Sequence, residues 1–106
     1  MTEALAAGRP VDAATGSVAV DSLAPRRVGE LTFSVVRARV DSVLLVGDEA
    51  IRRARQTLWE TLRVVAEPGG CAALTALLSG RYVPGPDEHV AVVVSGANTS
   101  AVNPGG

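Results

Sequence analysis

Apolar residues recur at three- and four-residue steps through EAIRRARQTLWETLRVVAE, so that Ile51, Ala54, Leu58, Leu62 and Val65 share one helical face. Arg52, Arg53, Arg55 and Arg63, with Gln56 and Glu60, fill much of the remainder. Asp48 is the expected N-cap. The predicted end is Glu67-Pro68, because the residue before a proline is pushed out of helical backbone. Pro68 can open a second helix over GGCAALTALLSG, with Ala73, Leu74, Leu77 and Leu78 apolar and Gly80 as its stop. Upstream, GELTFSVVRARV places Phe33, Val36 and Val40 on one face of a helix of about three turns. Thr2 to Ala7 reads as a short helical piece ending at Gly8, broken by Arg9-Pro10, and residues 10–25 read mostly as loop.

Two other stretches carry no helical period. Val43 to Val46, between Ser42 and Gly47, and the run HVAVVV at 89–94 are continuous apolar segments, the pattern of short strands buried on both faces. Helix, strand, helix, helix, strand is the order of an α/β domain whose parallel strands are joined by helical crossovers. Two such strands need neighbours on their edges that this chain does not supply. The expectation is therefore a partial parallel sheet with flanking helices, completed by further chain or by a partner. At 106 residues there is room for one domain and not for two. The tail TSAVNPGG reads as frayed.

Composition narrows the chemistry. Phe33, Trp59 and Tyr82 are the only aromatic residues, so a core must be built from Val, Leu and Ala. A net charge of -1 gives no attraction to nucleic acid or to an acidic membrane surface. All ten basic residues are arginine; with no lysine, the chain can neither form a lysine Schiff base nor use a lysine as a base. Cys71 is the single cysteine, which excludes an intrachain disulfide and fits a reducing compartment. There is no basic start followed by an apolar run, and no segment nears the ~20 apolar residues of a membrane span, so a cytoplasmic protein is expected.

Few residues invite a functional reading. Ser95-Gly96-Ala97-Asn98 falls at the carboxyl end of the second expected strand, where open α/β sheets bind ligands. Ser95 offers a hydroxyl at the rim and Gly96 lets a ligand approach the backbone, although the same residue types also serve simply to turn a chain. Glu67 either projects a carboxylate into a cleft or caps a helix. Cys71, near a helix start, either has a lowered thiol pKa or is a small core residue, and the lack of a neighbouring base favours the core. His89 reads as a surface residue, and the arginines of the long helix as a solvated flank. No metal-ligand spacing, phosphate-binding glycine loop or serine–histidine–acid arrangement occurs. From its residues alone the chain shows no enzyme.

Four segments in order, RRVGELTFSVV, VDSVLLVGDEAIRRARQTLWE, VVAEPGGCAALTALLSG and VAVVVSGANT, resemble the C-terminal part of the pyridoxal-phosphate-dependent threonine/serine dehydratases, the family of threonine deaminase and serine racemase. The resemblance runs from about Ala4 onward and implies an incomplete large domain of a fold type II pyridoxal-phosphate enzyme. It further implies that Ser95 hydrogen-bonds the pyridine nitrogen of the cofactor, that Gly29 lies beside the cofactor ring, and that Glu67 and Gly96 line the site. A hydroxyl partner does not force the ring nitrogen to stay protonated, which suits β-elimination. Ala97 stands where the family commonly has glycine. The family's Schiff-base lysine, its substrate-carboxylate loop and its phosphate cradle belong upstream of these segments. The implied parent enzyme binds L-threonine or L-serine as an imine, removes the α-proton, expels the β-hydroxyl and releases a 2-oxo acid and ammonia. This chain by itself is expected to be inactive, to self-associate or pair with the missing N-terminal part, and to bind neither nucleic acid nor membrane. The alternative is a non-catalytic α/β module that completes its sheet with a partner chain.

Overall fold

The computed structural model describes residues 1–13 and 26–99. Most of the loop expected over 10–25, and the tail beyond Thr99, lie outside the described residues. The chain divides into two compact units, Met1–Leu44 and Leu45–Gly106. Each has buried residues of its own: Ala4 and Phe33 in the first, Ala54, Leu58, Ala66 and Cys71 in the second.

In the first unit α1 (Thr2–Ala7) stops at Gly8, whose φ of 74° is the left-handed backbone that glycine adopts without a Cβ penalty. Helix α2 (Glu30–Arg39) starts from Gly29 and buries Phe33. Glu30 in its first turn and Arg37 and Arg39 in its last each oppose the nearer pole of the helix dipole. The Arg37 guanidinium reaches back to the Gly8 carbonyl at 3.5 Å. Arg27 and Arg26 pair with Asp12 at 2.8 and 3.8 Å.

In the second unit α3 (Asp48–Leu62) buries Ile51, Ala54 and Leu58, the face predicted for it. Its N-cap is Gly47, so Asp48 is the first helical residue rather than the cap. Glu49 pairs with Arg52 and Arg53 at 3.5 and 3.7 Å on the exposed side, contacts worth a few tenths of a kcal/mol each. The helix ends five residues before the predicted Glu67, at Leu62, because Arg63 turns into left-handed backbone with φ 56°. That conformation costs a non-glycine residue about 1 kcal/mol. It is offset by the Arg63 N–H bonding the Trp59 carbonyl at 2.9 Å and by the guanidinium lying 5.5 Å over the Trp59 ring.

After an irregular stretch, a 3-10 turn (Gly69–Cys71) leads into α4 (Ala72–Leu78), and Gly80 follows as the expected stop. The core joins Ala54 and Leu58 of α3 to Ala66 and Cys71, with Leu74 against them. Thr75 is fully buried because its hydroxyl donates to the Cys71 carbonyl at 2.8 Å. Beyond α4, residues 81–91 form an exposed arm held by its own bonds, Tyr82 N–H to Ala76 at 2.9 Å and Glu88 N–H to Gly85 at 3.1 Å, with Tyr82 donating its hydroxyl to the Glu88 carboxylate.

The expected parallel sheet is not formed by the described residues on their own. Among the described residues every regular element is helical, and 43–46 and 90–94 form no ladder. A strand exists through hydrogen bonds to a neighbouring edge, and neither segment has one here. Several side chains expected to be buried are open instead, Leu45 being 67% exposed and Val93 74%, while Val43, Val46 and Val92 are half-buried. No helix among the described residues is long and apolar enough to cross a membrane.

Candidate functional site

The early end of α3 determines what the following residues can do. Had the helix continued to Glu67, the amides of Ala66 and Glu67 would have been used inside it. Released, the Glu67 N–H donates to the Gly96 carbonyl at 2.9 Å, and the Ser95 N–H points to the Gly70 carbonyl at 3.4 Å. Two segments separated by α4 and the exposed arm are thereby drawn side by side.

Glycine permits that approach. A Cβ on Gly70 would lie 2.5 Å from the Gly96 carbonyl oxygen and 3.0 Å from its nitrogen, so the two backbones meet only because position 70 has no side chain. At Gly96 a Cβ would overlap the Glu67 carboxylate, whose Cδ would stand 2.9 Å away. The half-buried Glu67 side chain therefore covers Gly96. It caps no helix: Pro68 precedes the 3-10 turn, and no side-chain hydrogen bond caps that turn.

Ser95 is exposed at the edge of this junction, and its hydroxyl makes no hydrogen bond within the described residues. Of the four expected site residues the structure thus brings three together, Glu67, Ser95 and Gly96. Gly29 belongs to the other compact unit, where it is exposed, has ordinary φ of -68°, and has nothing within 4 Å of the position a Cβ would take. Nothing in its own surroundings requires a glycine there.

Cys71 settles into the core. It is fully buried, and burial pushes its thiol up from the usual 9.0 against the opposing pull of the Arg55 guanidinium. The alternative of an activated thiol is thereby set aside. His89 is exposed, as expected. Among the described residues no three His, Cys, Asp or Glu gather as a metal would require.

Two polar residues, Arg55 and Thr75, belong to the core. Arg55, only 7% exposed, donates its Nε–H to the Ala66 carbonyl at 2.9 Å. A signal existed: position 55 lies four residues after Ile51 and three before Leu58, on the apolar face. Thr75 likewise lies four residues after Cys71, the spacing at which a threonine hydroxyl can bond a helix carbonyl.

Taken as a whole, the chain matches an established enzyme class. The sequence model described as pyridoxal-phosphate dependent enzyme covers residues 1–96, and the chain belongs to that family. It is 35% identical over 100 residues to a biosynthetic L-threonine dehydratase of Salmonella typhimurium, 92% of this chain and 19% of the relative. It is 32% identical to a serine racemase of Dictyostelium discoideum over 67% of this chain and 22% of that one. The crystal structure of a T.th. threonine deaminase superposes with a TM-score of 0.81 and 33% identity over 93% of this chain and 36% of that chain. The chain spans about a fifth of the length of these curated relatives.

Proposed function

We propose that this chain supplies the ring-nitrogen wall of a pyridoxal-phosphate lyase that dehydrates and deaminates L-threonine or L-serine to a 2-oxo acid and ammonia. In this reading it forms the C-terminal portion of the large domain, and other sequence provides the remainder. The observation that carries the proposal is the junction itself: Ser95 and Gly96 held against Gly70 and Glu67, with the Ser95 hydroxyl left open.

The residues present fit one end of the cofactor. The Ser95 hydroxyl can donate to, or accept from, a pyridine nitrogen, so the nitrogen need not carry a proton. Gly96 presents bare backbone beside it, and Glu67 closes the rear of that backbone. No lysine is available to hold the aldehyde carbon, so the chain alone is inactive. When bound, pyridoxal phosphate supplies the electron sink that lets an amino acid lose its α-proton. Ser95 would orient the ring at its nitrogen.

The same reading accounts for the open apolar segments. Residues 43–46 and 90–94 become strands of a parallel sheet once neighbouring strands of the large domain lie along them, covering side chains such as Leu45 and Val93. The substrate amino acid contacts the supplied portion rather than this chain. A cytoplasmic setting accompanies the assignment.

The test is a titration of the chain with pyridoxine 5′-phosphate, which has the ring and phosphate but no aldehyde to react with amines. The expected result is a set of amide shifts centred on Ser95 and Gly96 that disappears in Ser95→Ala, with no ammonia released from threonine. Shifts that ignore Ser95, or threonine turnover by the chain alone, would overturn the proposal.

A further inference from the structure

We infer that Arg55 is the positioning residue for this junction, setting the place of Ser95 and Gly96 through the Ala66 carbonyl; the inference rests on the cofactor reading above only for what the junction holds. A guanidinium buried beside Ala54, Leu58, Ala66 and Cys71 is an expensive choice, since an apolar side chain would pack there without giving up hydration. No carboxylate forms an ion pair with it within the described residues. What it does make is one well-formed bond, Nε–H to the Ala66 carbonyl at 2.9 Å.

Among the described residues that carbonyl has no other donor. Ala66 is 1% exposed and lies past the end of α3, where neither the helix nor a ladder offers it an amide. Its peptide unit continues into the Glu67 N–H, which holds the Gly96 carbonyl at 2.9 Å. A C=O and an N–H of one planar peptide are fixed relative to each other, so the rigid α3 side chain that grips the oxygen also aims the hydrogen. From α3 the order of connection is Arg55, the Ala66–Glu67 peptide, Gly96 and then Ser95.

The experiment is amide hydrogen exchange by NMR on the whole chain, with Arg55→Met and Arg55→Lys beside it and a urea titration of each to measure global stability. In Arg55→Met the Glu67 and Ser95 amides are expected to exchange about tenfold faster or more than the global stability change accounts for, while α4 amides follow that change. Arg55→Lys, which keeps a donor, is expected to return most of the protection. In the unsubstituted chain the Arg55 Nε–H itself exchanges slowly, a result available even if the methionine variant does not fold. Uniform acceleration across α3, α4 and the junction, unchanged protection at Glu67, or a freely exchanging Arg55 Nε–H would each overturn the assignment. Failure of pyridoxine 5′-phosphate to shift Ser95 in the unsubstituted chain would count against the cofactor reading alone.

Discussion

Gly70→Ala tests the close approach of the two backbones. The added Cβ would stand 2.5 Å from the Gly96 carbonyl oxygen, and restoring an ordinary 3.4 Å contact requires 0.9 Å more separation. The obstacle is backbone, so no side-chain rotation relieves it. Moving Gly96 away by that amount stretches the 2.9 Å bond from the Glu67 N–H to about 3.8 Å, beyond hydrogen-bonding range. Overpacking of this kind costs about 1–3 kcal/mol, and the lost bond adds about 1 kcal/mol. Against this, alanine in place of glycine restricts the unfolded chain and returns about 0.4–1 kcal/mol. The net expectation is a loss of about 2 kcal/mol, or about 1 M in urea midpoint for a slope near 2 kcal/mol/M. Urea unfolding followed by circular dichroism measures the midpoint, and amide spectra show whether Glu67 and Ser95 shift while α3 does not. A midpoint equal to or above that of the unsubstituted chain would refute the account, because it would mean that the two segments never come this close.

Other outcomes follow from the same structure. Gly29→Ser, at a helix start with open space around it, should leave stability within about 0.5 kcal/mol; a large destabilisation by urea unfolding would show that glycine is needed there for folding rather than for a ligand. Because burial raises the Cys71 thiol above 9.0, the unfolded chain ionises first, so the stability from the neutral thiol is complete below that pH and declines as pH rises toward the folded-state value. Urea midpoints across that range should fall more steeply in the native chain than in Cys71→Ala, and equal slopes would contradict it. The exposed Leu45 and Val93 should promote self-association, so light scattering should rise with concentration and fall in a Leu45→Lys, Val93→Lys variant; a monomer that melts cooperatively at every concentration would argue against it.

The helices were legible because their signals are local. The 3.6-residue recurrence of Ile51, Ala54 and Leu58 marks α3, and Gly8 marks the stop of α1. The end of α3 was not legible, because the pattern continues through Leu62 and Val65 while the chain leaves the helix at Arg63 to pair with a segment some 30 residues away. Tertiary pairing overrode helix propensity there. The two apolar runs form no ladder here for the opposite reason. Their apolar runs record the burial the segments are suited to, whereas a ladder depends on a second edge. At the junction, residue types point to Glu67, Ser95 and Gly96, but in sequence Arg55 is one arginine among several in the same helix. Its burial depends on where Ala66 lies, which no local pattern discloses.

The arm at residues 81–91 bears on how the protein can be handled. Its ends are fastened by the Gly70–Gly96 junction and by the Tyr82–Ala76 bond, and every residue along it is exposed. Lengthening a loop whose ends are already fixed costs little, about 0.6 kcal/mol for each doubling. A fluorophore, an affinity peptide or a cleavage sequence inserted at Pro84-Gly85-Pro86 would therefore sit on a tether anchored close to Ser95, able to report on events at the junction without being part of it.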